Sequence, residues 1–119
     1  MRVTAGGVSH VVTLLSNATA RAIWNALPIE ARGNRWGDEV YFSVPLDLTE
    51  DGAQEVVEVG DVAFWPHGSA VCIFWGPTPA STGDEPRAAS PVNVFGHIDH
   101  GAADFSAVKS GATIKLERA

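Results

Sequence analysis

The chain has 119 residues, a formal net charge of −6 and a single cysteine. That length makes one domain, residues 1–119, able to fold around its own core without a disulfide or a metal, and Cys72 has no partner for an internal bridge. Eight Lys and Arg, scattered among fourteen Asp and Glu, exclude a nucleic-acid platform, which needs clustered positive charge. No run approaches the ~20 apolar residues of a membrane span. Arg2 precedes an apolar stretch, but Ser9, His10 and Thr13 interrupt any signal-peptide core. A soluble cytoplasmic protein is expected.

Met1–Ala5 and Val8–Leu15 read as strands joined by a turn at Gly6-Gly7. Asn17-Ala18-Thr19 has the pattern of a glycan acceptor, yet Asn17 is better explained as a helix cap whose side-chain oxygen takes a first-turn amide. Ala20, Ile23, Trp24 and Leu27 recur at i, i+3, i+4 and i+7 and form one apolar stripe. Pro28 ends that helix, because it disfavours helical geometry at Leu27 and has no amide to donate.

Gly37-Asp38 opens the next strand, Glu39–Val44. Val40, Phe42 and Val44 alternate with Glu39, Tyr41 and Ser43, the pattern of a half-buried strand. Pro45–Val59 is acidic and reads as loop, with a short strand near Glu55–Val57. Gly60-Asp61 repeats the strand opening before Val62–Trp65; in both pairs Gly permits the turn and the Asp carboxylate accepts a local backbone hydrogen bond. The chain turns at Trp65-Pro66-His67-Gly68, runs through Ala70–Trp75 and stops at Gly76-Pro77-Thr78-Pro79. Both faces of these two strands are apolar, which places them in a closed or doubly covered sheet. Cys72, inside the second, is read as a buried and unreactive thiol.

Ser81–Ser90 is polar, rich in Gly, Pro and charge, and reads as a flexible loop of the kind that often carries function. In the strand Val92–Ile98, Val92, Val94 and Ile98 are assigned to one face and Asn93, Phe95 and His97 to the other. A helical turn over Asp104–Lys109 is closed by Gly111. In the last strand Ala112, Ile114 and Leu116 alternate with Thr113, Lys115 and Glu117. There is no internal repeat.

Four runs then carry a resemblance: Trp36-Gly37-Asp38-Glu39-Val40-Tyr41-Phe42, Val59-Gly60-Asp61-Val62-Ala63-Phe64-Trp65-Pro66, Phe74-Trp75-Gly76-Pro77-Thr78-Pro79 and Pro91-Val92-Asn93-Val94-Phe95-Gly96. With the element order, they resemble the signature runs of a small prokaryotic cyclophilin-like family of uncharacterised function, from about Val8 to Leu116. The resemblance implies a mainly β fold, a closed cyclophilin-like β-barrel of about eight strands with two short covering helices. It does not imply an activity. Cyclophilin isomerases carry an Arg in a Phe-His-Arg run that polarises the substrate proline's amide; the strand Glu39–Val44 has none. Their Gln-Gly-Gly-Asp run is absent too, and Ala70-Val71-Cys72-Ile73-Phe74 is the nearest counterpart of their Gln-Phe-Phe-Ile segment. Without its electrostatic group, a site loses its main lever on the peptide-bond barrier of about 18–20 kcal/mol.

Trp36, Tyr41, Trp65 and Trp75 supply more aromatic surface than so small a core requires. Either they simply pack, or they line a pocket for a small molecule or peptide, with Arg32, Arg35 or Asn93 fixing its orientation. The expected ligand-binding residues are Arg35, Trp36, Tyr41, Trp65, Trp75 and Asn93. His97 and His100 flank Asp99, but residues three apart on a strand point to opposite sides and three or four convergent ligands are needed, so no metal site is expected. Asp61 and His67 lie at opposite ends of one strand and do not make an acid–base pair unless the hairpin bends. Ser69 lacks a nucleophile elbow, and Gly6-Gly7 is not a phosphate loop. A binding module without cofactor is the leading expectation. The alternatives are a prolyl isomerase with a rearranged site and an accessory module of an amide-processing enzyme.

Overall fold

A computed structural model describes all residues, 1–119. Its strands are β1 (Arg2–Ala5), β2 (Val8–Val11), β3 (Thr13–Leu14), β4 (Ile29–Arg32), β5 (Asn34–Arg35) and β6 (Glu39–Ser43), then β7 (Gln54–Val56), β8 (Asp61–Trp65), β9 (Ala70–Phe74), β10 (Arg87–His97) and β11 (Thr113–Glu117). Helix α1 (Ala18–Ala26) follows β3, and a 3₁₀ helix (Ala102–Ala107) precedes β11. No helix is long and apolar enough to cross a membrane.

The strands form two antiparallel sheets rather than the closed barrel expected from the sequence. One has the order β2-β1-β11-β4; the other runs β3-β10-β8-β9-β6-β5, with β7 paired to β10. No ladder joins the two sheets, and at two places the chain steps directly from a strand of one to a strand of the other. The segment read as one strand, Val8–Leu15, breaks at buried Val12, whose amide donates to the Met1 carbonyl at 2.7 Å, so that β2 lies in one sheet and β3 in the other. The chain crosses again between β4 and β5 at Gly33, whose amide stays bonded to the Ala112 carbonyl at 2.8 Å. Corners between packed sheets are made by segments that switch sheets at bends of this kind.

The main core fills the space between the sheets. Val3, Ile29, Ile114 and Leu116 face Val40, Phe42, Val62, Phe64, Val71, Ile73 and Phe95 across it. Ile23 of α1 and Leu27 just after it close one part and Phe105 of the 3₁₀ helix another. Asn17 caps α1 as expected, its Oδ1 accepting the Ala20 amide at 2.8 Å. A second apolar cluster, Val57, Ala63, Cys72, Phe74, Ala88 and Val92, covers the outer face of β8 and β9. These two strands are therefore buried on both faces, as their composition implied.

Three local assignments change. Arg87–Ser90, read as loop, begins the 11-residue strand β10. The remainder of that loop is tied down by Thr82 N to Glu85 Oε2 at 2.9 Å and Arg87 Nε to the same oxygen at 3.0 Å; the Thr82 amide is the chief reason the Glu85 carboxyl is held down at about 2. A bulge between Val94 and Gly96 reverses the alternation of β10, so Ile98 joins Phe95 in the main core instead of sharing a face with Val92. The helical turn ends at Val108, and Gly111 forms a later left-handed turn whose amide donates to the Gly33 carbonyl at 2.8 Å.

Candidate functional site

The alternation of β6 puts Glu39 and Tyr41 on the face opposite Val40 and Phe42. That face was expected to meet solvent. The first half of β10 lies over it instead, ahead of Asn93, where the β8–β10 ladder begins. Ala88, Ala89 and Val92 from β10, Cys72 from β9, Trp65 from β8 and Trp36 just after β5 enclose a cavity of about 190 Å³ above Glu39 and Tyr41.

The aromatic walls are held in place. Tyr41 and Trp65 meet edge to face, with centroids 6.4 Å apart and an interplanar angle of 77°. Trp65 Nε1 donates to Ser90 Oγ at 2.6 Å, and that hydroxyl contacts His67 Nδ1 at 3.2 Å. The turn after β8 needs Gly68 for steric reasons: a Cβ there would stand 2.3 Å from Trp65 Cε3 and Cζ3. The Trp36 amide donates to the Glu39 carbonyl at 3.0 Å, fixing the backbone at the other wall.

Glu39 is the unusual group. It is only 4% exposed, and no basic side chain lines the cavity. Burial pushes its carboxyl up to about 7, with the neighbouring Cys72 thiol, its one polar contact, pulling slightly the other way. The thiol in turn is pushed well above its ordinary range, first by burial and then by the Glu39 charge. Every side-chain nitrogen or oxygen sealed from solvent has a hydrogen-bond partner; the Glu39 carboxylate, which lines the cavity, has the weakly donating Cys72 thiol beside it and no N–H or O–H donor. This is an apolar recess with one acid at its base.

Of the residues expected at a binding site, Trp36, Tyr41 and Trp65 line this cavity together. The other three lie elsewhere. Arg35 Nη1 donates to the Ser106 and Val108 carbonyls at 3.0 and 3.1 Å, and its guanidinium lies 5.0 Å from the Trp75 ring centroid. Trp75 is buried in the main core. Asn93 is fully buried: its Oδ1 accepts the Asp51 amide at 2.9 Å and its Nδ2 donates to the Thr49 carbonyl at 2.9 Å, tying that loop to the sheet. Arg32 donates to the Gly111 carbonyl at 3.0 Å. Asp61 pairs not with His67 but with His97, Oδ1 to Nδ1 at 2.9 Å, because the two residues sit opposite each other on β8 and β10.

Sequence reasoning missed Glu39. Its alternation with Val40 is plain in the sequence, but Ala88 and Ala89, which with Val92 cover it, lie in the stretch that reads as loop.

The family model described as cyclophilin-like matches residues 1–117. The solution structure of a hypothetical protein from Archaeoglobus fulgidus is 40% identical and has a TM-score of 0.82, covering 99% of this chain and 92% of that one. No curated protein matches the chain. With a family match over nearly its whole length and a homologous fold to accompany it, the chain belongs to the cyclophilin-like family.

Proposed function

We propose that the protein binds one small ligand, free or carried on a peptide, in the recess walled by Trp36, Tyr41 and Trp65, and that it does not isomerise proline. The cavity itself carries this reading. At about 190 Å³ it is slightly larger than an engineered apolar cavity of about 150 Å³ that admits benzene. It is smaller than the ~300–1,000 Å³ of sites for drug-sized molecules. One ring or one side chain fits it. The cyclophilin isomerases rely on an Arg guanidinium to polarise the twisting amide, and the lining residues include no Arg, Lys or His.

Intrinsic fluorescence tests the proposal, since Trp36 and Trp65 line the cavity and Trp24 and Trp75 do not. A screen of small cyclic, amine and amide compounds and short peptides is expected to find ligands that shift the emission saturably. The substitution Ala89→Trp, at the exposed edge of the lining, is expected to abolish the response while leaving the unfolding midpoint nearly unchanged. Silence of the native protein across the screen overturns the reading. In a protease-coupled assay on a Xaa-Pro peptide the expected rate is the uncatalysed one; acceleration overturns the non-catalytic part.

A further inference from the structure

Resting on the reading that this recess binds a small ligand, we infer that the ligand is an organic cation: an alkylammonium group held among the rings of Trp36, Tyr41 and Trp65 with its charge on the Glu39 carboxylate. Two independent features lead there. The first is the acid. Glu39 is 4% exposed and has neither a cation nor an amide donor beside it. A carboxylate sealed without a counter-charge is costly, and the group either stays protonated or acquires a partner. The protein's own cations are turned elsewhere: Arg35, from the adjacent strand, donates to the Gly37, Ser106 and Val108 carbonyls, and Arg87, which begins the covering strand, pairs with Glu85.

The second feature is the set of rings. Tryptophan and tyrosine faces attract cations through their quadrupoles, most strongly where water is excluded. The intramolecular cation–ring contacts fall on Trp75, from Arg35 at 5.0 Å, and on Trp24, from Arg118 at 5.3 Å. Trp36 and Trp65, at the cavity, have none. Both walls and base therefore favour positive charge, and the chain supplies none of it. The net charge of −6 attracts cations toward the molecule as a whole.

Glu39, Tyr41 and Cys72 are the titratable groups that line the recess, and His67 touches its wall through Ser90 and Trp65. A cation requires Glu39 in its charged form. Binding should therefore strengthen with rising pH through the neutral range and release protons there.

The test uses two matched pairs, read by tryptophan emission on the full chain. Choline is set against 3,3-dimethylbutan-1-ol, which has carbon in place of the charged nitrogen; N-acetyl-lysine N-methylamide is set against its norleucine counterpart. The expected result at pH 8 is that the cation of at least one pair binds about tenfold or more tightly than its neutral partner. The responding pair tells a free amine from a lysine side chain. On the native protein that preference should shrink about tenfold between pH 8 and pH 6, following the charge on Glu39. Glu39→Gln should abolish the preference and its pH dependence while neutral binding survives, and His67→Gln should leave both intact. Equal or tighter binding of the neutral partners overturns the cation and leaves the pocket standing. If no compound of either kind binds, the cation is overturned as well, and the broader screen then decides the pocket. A preference that ignores pH on the native protein also overturns the role of Glu39, whether or not Glu39→Gln folds.

Discussion

Glu39 gives the folded protein a pH dependence of its own. In an unfolded chain its carboxyl loses its proton near 4.5; burial holds the proton to about 7 in the fold. Between those values the folded state binds more protons than the unfolded one, so stability declines as pH rises through the window, and the loss is complete above about 7. Glu39→Gln keeps the volume and removes the charge. Its stability gain over the parent chain should be small at pH 5 and reach about 3 kcal/mol at pH 8. Urea unfolding at the two pH values checks this; a gap that stays constant with pH would show that the buried charge is not its source. The aromatic neighbours were legible as a group from the residues alone, whereas the acid was not. Period-two alternation tells which side chains share a face and says nothing of what lies over that face.

Strand β10 shows how an element changes what its residues do. Its bulge at Phe95 turns Ile98 inward and brings Gly96 opposite both Leu14 of β3 and Val62 of β8. A Cβ at Gly96 would lie 2.6 Å from Val12 Cγ1 and 3.1 Å from the Thr13 carbonyl oxygen. Gly96→Ala is therefore expected to destabilise the protein by about 1–3 kcal/mol by wedging β3 off the sheet. Gly7→Ala, with nothing within 4 Å of its added methyl group, is the control and should leave the unfolding midpoint nearly unchanged. Equal midpoints for both variants would mean that the β3–β10 seam yields freely. The alternating residues of Val92–Ile98 gave no sign of the bulge, which depends on strands far away in the chain. Likewise the short strands β4 and β5 escaped notice, because each has few residues and draws its pairing from β11 and β6.

For the molecule as a whole, the two sheets share the main core, while only one of them carries the second cluster on its outer side. The deepest layer is thus β8 with β9, and β2, β3, β4 and β5 lie at sheet edges. Hydrogen exchange should show this ordering. Amides of Val62–Phe64 and Val71–Phe74 are expected to exchange only through global unfolding, and those of β2 and β7 through smaller openings. Uniform protection, or edges slower than the centre, would contradict the layered arrangement. The expected closed barrel is replaced at this scale by two sheets: the chain steps from one to the other at Val12 and at Gly33, and no backbone ladder bridges their edges, an outcome of long-range pairing that local side-chain period does not encode.

What the sequence by itself determined is local: the capped helix with its apolar stripe, the Gly and Pro turns, the faces of β6 and β11 and the double burial of β8 and β9. Those features follow from side-chain period and backbone restriction within a few residues. Tertiary structure alone decided that Ala88, Ala89 and Val92 fold across β6, that Trp36 and Trp65 meet over the same recess and that Glu39 lies beneath them without a counter-charge. Desolvation of a side chain is set by segments distant in sequence, so the property that makes this acid chemically unusual appears only once the chain has folded over it.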